Sequence, residues 1–301
     1  MAVPRLSAIS GRTSYLPGAN NLGIVRTPDG GAVTVDAGID KDRARDLRRA
    51  LEAEEMPLRA IISTHHHADH IGGNDYLVRN LAAPIYAPPL EAALIEHPIL
   101  EPMYLNHGAT PPRALRNKWL LAAPAPVTGL IDGPQAEIAG LTFEVLPLPG
   151  HSPNQIGVAL DGVCFLADGA FGPAILEKYG IPYAHDIPAQ LRSLDLLAET
   201  DYAWYLPSHG ELTPASGLGA LIEANRTAIE RVREALWAAL EEPGDLPTLV
   251  ERVRSRLAHS FATVAQYVLF QSALSAYLSW LESDGAAEVV LDQQCLVWRR
   301  M

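Results

Sequence analysis

The chain has 301 residues, 48% hydrophobic and 19% charged, an ordinary globular composition with room for one large domain and a smaller one. A formal net charge of −12 offers no footprint for a polyanion, so nucleic acid is not an expected partner and a small-molecule substrate is. Its two cysteines, Cys164 and Cys295, lack metal-ligand spacing, no run of about 18 apolar residues suggests a membrane span, and MAVPRLSAIS has no secretory h-region; a cytoplasmic location is the expectation.

In chain order, Asn21 to Arg26 and Ala32 to Val35 are apolar-rich runs joined by Pro28-Asp29-Gly30-Gly31, which predicts a β-hairpin over 20–38. Residues 40–54 place Ala44, Leu47, Ala50 and Leu51 at helical spacing. Arg59 to Ser63 then reads as a short buried strand running into a histidine-rich segment. Between 97 and 126, six prolines argue against any regular element, and the stretch reads as an inserted lid or wall, with a surface-packing insertion as the alternative. Strands are expected at 141–146, 156–160 and 163–167, a helix at 188–199, and a last buried strand at Trp204-Tyr205-Leu206. Beyond about Pro214, helical patterns at 218–240, 247–257 and 262–281 precede two strand-like runs, 288–291 and 295–298, around a turn at Asp292-Gln293. Three helices and a hairpin have a winged-helix layout, so the chain divides into 1–214 and 215–301.

The segment His65-His66-His67-Ala68-Asp69-His70 packs three spaced imidazoles and a carboxylate into six positions. Such groups are the usual ligands of zinc and similar divalent ions. On an extended chain His65 and His67 point the same way, while Asp69 and His70, as the chain turns, face a second position close by. His66 occupies the spacer position and reads as a packing residue rather than a ligand. One loop supplies too few ligands, and His151, Asp168 and His209, each beside a glycine and just past a strand, complete a set of seven.

This pattern resembles the metallo-β-lactamase superfamily over roughly residues 6 to 212. Asp36 in Val35-Asp36-Ala37-Gly38 resembles the first signature station, His65-His67-Asp69-His70 the second, and His151, Asp168 and His209 the third to fifth. The resemblance implies a four-layer αβ/βα sandwich with metals at one edge. It implies His65, His67 and His151 on one ion, Asp69, His70 and His209 on the other, Asp168 bridging both, and Asp36 steadying the ligand loop. Zinc leads as the metal, with iron or manganese as alternatives. Two ions about 3.5–4 Å apart lower the pKa of a shared water to around 7, and the bridging hydroxide attacks an ester, thioester or lactone, with Asp69 taking or relaying the proton. The chain reads Gly150-His151-Ser152-Pro153-Asn154 where many relatives have Thr-Pro-Gly after the histidine, Ala167 where a glycine often precedes the aspartate, and Ser208 where glycine is common. No ligand is lost by these changes.

The tail resembles the winged-helix extension of the β-lactamase-like protein 2 branch, which includes an endoribonuclease and polyketide-releasing thioesterases. Residues 218–301 hold eight Arg and no Lys against eleven Asp plus Glu, a formal −3, and the third helical stretch is too apolar to read a nucleic-acid groove. It is expected to pack on the catalytic domain or on a partner copy, a homodimer being the candidate assembly. Small-molecule hydrolysis is therefore the leading reading; RNA or phosphodiester cleavage and an iron-dependent redox role are the alternatives. Tyr104, His107, Tyr179, Tyr183 and His185 are candidate substrate contacts.

Overall fold

The computed structural model describes residues 3–301. The first half forms a seven-stranded sheet in plain sequence order: β1 (Ser7–Ser10), β2 (Thr13–Leu16), β3 (Leu22–Arg26), β4 (Ala32–Val35), β5 (Leu58–Ile62), β6 (Ile85–Ala87) and β7 (Gly129–Leu130). Pairing is antiparallel from β1 to β4 and parallel from β4 to β7. The parallel crossovers contain α1 (Lys41–Ala53), the single-turn α2 (Ala68–Ile71), α3 (Asn74–Leu81), α4 (Pro89–Glu96) and α5 (Leu100–Leu105). A second, six-stranded sheet is built from β8 (Gln135–Ile138), β9 (Leu141–Pro147), β10 (Ile156–Leu160), β11 (Val163–Ala167), β12 (Trp204–Pro207) and β13 (Thr213–Pro214), with α6 (Pro173–Tyr179) and α7 (Ile187–Ala198) between β11 and β12. The tail adds α8 (Leu218–Ala239), α9 (Leu246–Arg256), α10 (Val264–Ser283) and the hairpin β14 (Ala287–Asp292) with β15 (Cys295–Arg300).

The period-two alternation of the strands assigns the layers. Val25, Val33, Val35, Ala60 and Ile62 of the first sheet meet Phe143, Val145, Val158, Val163 and Phe165 of the second in one inter-sheet core. Their neighbours Leu22, Ile24, Ala32 and Ile61 point the other way, onto Ala44, Leu47 and Leu51 of α1 and Leu77 of α3. On the far side, Leu146, Ala159, Cys164 and Leu166 pack against α7 and against Phe270, Leu274, Tyr277 and Leu278 of α10. Helices, sheet, sheet, helices: this is the expected four-layer αβ/βα sandwich. The C-terminal helices share a core with the second sheet, as the apolar third stretch led one to expect. No helix among the described residues is long and apolar enough to cross a membrane.

Two local expectations need correction. The 97–126 stretch is not devoid of regular structure, since α5 runs through Pro102 and a single 3₁₀ turn covers Arg113–Leu115. Pro102 falls in the first turn of α5, where a missing N–H deprives no carbonyl of a partner. The C-terminal hairpin turns at Gln293-Gln294, one residue later than expected, with φ of 46° and 68°. Positive φ at both central residues matches the right-handed twist of the flanking strands.

Candidate metal centre

Every candidate ligand leaves the end of a strand along one edge of the sandwich. The parallel pair β4 and β5 delivers Asp36 and the 64–70 segment side by side, the Asp36 N–H donating to Ile62 O at 2.8 Å. Past β9, Gly150 carries a φ of 129°, and a Cβ there would stand 2.3 Å from Gln190 N at the start of α7. Only glycine fits, and the tight passage presents His151 to the edge. The parallel pair β11 and β12 sets Asp168 beside Ser208-His209, with Ser208 N donating to Ala167 O at 2.9 Å. Ala167 takes a left-handed φ of 50°, which explains physically why glycine is common at that position in the resembling family.

The side chains converge into three overlapping groups whose donor atoms lie within 4.8 Å of one another: His65, His67 and His151; His65, His70 and Asp168; Asp69, His70 and His209. Asp168 stands between them. Its Oδ2 is 3.3 Å from His151 Nε2 and 3.7 Å from His209 Nε2, and its Oδ1 is 3.4 Å from His70 Nε2. Asp69 Oδ2 lies 3.0 Å from His209 Nε2, and His67 Nδ1 is 2.7 Å from His151 Nε2. All seven sequence-derived candidates are thus brought together.

Surrounding groups fix which ring nitrogen faces inward. Asp36, 1% exposed, accepts from His70 Nδ1 at 2.7 Å and from Thr64 N and Oγ1, so His70 presents Nε2. His151 Nδ1 donates to Tyr183 O at 2.8 Å, and His209 Nδ1 to Ala19 O at 2.8 Å, freeing both Nε2 atoms. A hydrogen bond on the outer nitrogen sets the tautomer of a metal-binding imidazole.

Burial and neighbouring charge divide the histidines. Burial, and then crowding by His70, His67 and His151, depresses His65 well below its ordinary pKa, and burial with His151 does the same to His67. For His70 burial acts in the same sense but is outweighed by Asp168, Asp69 and Asp36, which hold it well above the usual range. His209 is lifted to about 9 by Asp168 and Asp69 against the opposing effect of burial. Burial would raise the Asp69 and Asp168 carboxyls, yet His70 and His209 hold both below the ordinary carboxylate range.

Buried polar atoms almost always have partners, and exceptions need an explanation. His65 Nε2 and Asp168 Oδ1 are both buried without one. Orphaned imidazole and carboxylate lone pairs aimed at a common centre fit divalent cations and fit little else.

Two residues escaped the sequence reading. Glu91 on α4 is fully buried; its Oε2 accepts from His66 N at 3.0 Å and His66 Nδ1 at 2.6 Å, and its Oε1 from Ser152 Oγ at 2.6 Å and Asn154 N at 2.7 Å. It ties the 65–70 segment to the His151 loop. His66 accordingly turns away from the centre, as its spacer position suggested. Asn20 is the other: its Nδ2 lies 3.3 Å from His70 Nε2. In sequence Glu91 looks like any acid in a first helical turn and Asn20 like a turn residue, so neither carries a local signal.

Of the candidate contacts, Tyr104 places its hydroxyl 3.0 Å from His66 Nε2, and the Tyr183 ring lies 5.5 Å from His67 and 5.6 Å from His151. His185 sits at the margin, bonded to the Ser152 backbone. His107 and Tyr179 are exposed, and no described contact joins them to the cluster.

A mixed imidazole–carboxylate centre at the edge of an αβ/βα sandwich defines a metal-dependent hydrolase. The metallo-beta-lactamase superfamily model matches residues 15–209, and the chain belongs to that superfamily. It is 29% identical over 233 residues to a hydroxyacylglutathione hydrolase of Methylobacillus flagellatus, covering 76% of this chain and 77% of the relative. A hydroxyacylglutathione hydrolase of Aeromonas hydrophila is 31% identical over 218 residues, covering 71% and 72%. In fold, the chain is similar to a beta-lactamase domain protein from Burkholderia ambifaria, with TM-score 0.74, 20% identity and coverage of 100% of this chain and 94% of that one. A metallo-beta-lactamase family protein from Thermus thermophilus gives TM-score 0.70 and 21% identity over 98% and 97%. The likeness in fold therefore includes the C-terminal helices and hairpin.

Proposed function

We propose that the chain hydrolyses a small-molecule thioester, with esters and lactones as related substrates. Two divalent ions, zinc first among the candidates, would be held by His65, His67 and His151 on one side and Asp69, His70 and His209 on the other, with Asp168 between them. The observation that carries this reading is Asp168, whose two oxygens reach toward histidines of both groups while Oδ1 accepts no hydrogen bond from the protein. Bound divalent ions supply Lewis acidity, polarising the acyl oxygen and making water nucleophilic at neutral pH.

The protein supplies the rest. Asp36 and Thr64 keep His70 in one tautomer, Tyr183 O and Ala19 O do so for His151 and His209, and Glu91 locks the two ligand loops together. Asp69, 27% exposed where His65 and His70 are fully buried, faces the open side and is placed to take the proton of the attacking water and deliver it to the departing thiolate. Phe171 and Tyr183 pack on His151 and keep bulk water from that flank.

Thioesters come first because the relatives that align over most of their own length are named hydroxyacylglutathione hydrolases. A small substrate rather than RNA is supported by the net charge of −12. We read 1–214 as the catalytic unit and 215–301 as a winged-helix-like appendage, supported by the second sheet ending at β13 and by the helix–hairpin order that follows. The test is a hydrolysis screen of zinc-loaded protein on hydroxyacylglutathione, simple esters, lactones and RNA. Thioester turnover abolished by a chelator and restored by zinc is expected; a fully loaded protein inactive on every acyl substrate overturns the reading.

A further inference from the structure

The loop between β2 and β3 is held with unusual firmness for a five-residue connection. Arg43 Nη2 donates to Leu16 O, Pro17 O and Asn20 O at 2.8, 3.0 and 3.1 Å. Asn21 donates through Nδ2 to Pro207 O and Gly210 O at 3.1 and 2.8 Å, and through its backbone N–H to Ser208 O at 2.8 Å. Ala19 O receives His209 Nδ1. The loop is thus stitched to α1 on one side and to the end of β12 on the other, and it has no freedom to withdraw from the centre.

Asn20, in the middle of this loop, is 6% exposed, and its side chain makes no bond that holds the loop in place. Its Oδ1 is buried with no partner, and its Nδ2 lies 3.3 Å from His70 Nε2. That nitrogen is the one Asp36 turns toward the centre; a divalent ion held there would occupy it, and the amide would then have no protein partner. A buried amide with neither acceptor nor donor satisfied destabilises the fold unless another group meets it. Asn21 shows what a structural asparagine does in the same loop: its Nδ2 donates to Pro207 O and Gly210 O past the end of β12, and its Oδ1 accepts from Gly18 N. Asn20 is aimed instead at the reacting face, rigidly positioned and unspent, as a preorganised donor for developing charge must be.

We propose that Asn20 is a catalytic residue of the acyl hydrolysis, a role that rests on the hydrolase reading above. Its Nδ2–H donates to the acyl oxygen as water adds to the carbonyl carbon. In that step the water oxygen forms a bond to carbon, the C=O π pair moves onto the acyl oxygen, and the water proton passes to Asp69. When the pair returns, the carbon–sulfur bond breaks and the thiolate takes that proton, leaving carboxylic acid and thiol. The amide serves only the stage at which the oxygen carries charge.

The test uses full-length zinc-loaded protein, wild type against Asn20→Ala and Asn20→Ser, with hydroxyacylglutathione as substrate and an alkylphosphonate, its phosphorus in place of the acyl carbon, as a tetrahedral, oxygen-charged probe. Both variants should lose about 10²–10³-fold in kcat, with KM within about threefold and zinc content per chain unchanged. Phosphonate affinity, read by calorimetry, should weaken by at least about tenfold in parallel. A kcat within about threefold of wild type, unchanged phosphonate affinity, or activity lost only in proportion to zinc overturns the assignment. A loaded wild-type protein that turns over no acyl substrate removes the hydrolase reading itself, and is told apart because it precedes any comparison of variants.

Discussion

Glu91 has no role in chemistry, yet the structure makes it the most consequential carboxylate outside the metal centre. It is fully buried and accepts four hydrogen bonds of 2.6 to 3.0 Å, two from His66 and one each from Ser152 and Asn154. Burial would raise its carboxyl, but His66, Ser152 and Asn154 outweigh that and hold it below the usual range, so it is an anion in the folded protein. Glu91→Ala strands four donors, two of them backbone N–H groups that cannot turn elsewhere. At about 1–3 kcal/mol for each group left unpaired, and allowing Ser152 to rotate and water to enter, the loss is about 3–5 kcal/mol. Glu91→Gln keeps the shape but opposes an NH₂ to one pair of donors, for about 2–3 kcal/mol. Because His66 lies between His65 and His67, and Ser152 follows His151, the same clamp positions three ligands. Zinc affinity should drop about 10–100-fold in either variant, as for other groups that orient metal-binding side chains. Urea unfolding of chelator-stripped protein measures the first effect and competition with a chromogenic chelator the second. A Glu91→Gln protein within about 0.5 kcal/mol of wild type and with unaltered zinc affinity would refute the clamp.

Other predictions follow from the same geometry. In metal-free protein His209 is held at about 9 against an ordinary 6.5, so its proton stabilises the fold fully below about pH 6.5 and that contribution disappears as pH rises through about 9. Zinc would displace this proton and the one His70 holds, so its affinity should climb at least about tenfold per pH unit across that window, with proton release seen by calorimetry in different buffers; a flat profile contradicts the assignment. Asp168→Ala should lower metal occupancy and abolish hydrolysis, and unchanged metal content would show that it does not bridge. Asn225 of α8 pairs its side chain with both Phe171 N and O at 2.9 Å, fixing the ring that stacks on His209, so Asn225→Ala should cost about 2–4 kcal/mol in urea unfolding. Tyr104→Phe removes one hydrogen bond to His66 and should cost only about 1 kcal/mol with zinc content unchanged.

What was legible in the sequence and what was not divides along a physical line. The apolar runs Ala32 to Val35 and 156–160 announced strands because nearly every residue in them is buried, and the 3.6-residue spacing of α1 announced a helix because one face of it is. The ligand cluster was legible because its residues lie close in sequence, and His151, Asp168 and His209 because each follows a strand end. Short elements left no such trace: β6 has three residues and β7 two, held by sheet pairing alone. Prolines concealed α5, since a break and a first-turn proline look alike without coordinates. Glu91 and Asn20 were out of reach for a different reason. Glu91 matters through donors as far as 63 positions away, and Asn20 through a ring 50 positions on, which no local pattern encodes.

The central claim is a centre for two divalent ions joined by Asp168. Its most direct test is titration of chelator-stripped protein with zinc, following bound metal and hydroxyacylglutathione hydrolysis together. Two zinc ions per chain, with hydrolysis rising as they bind, is the predicted result. Saturation at one ion or none, or two ions bound with no hydrolysis of any acyl substrate, would contradict it.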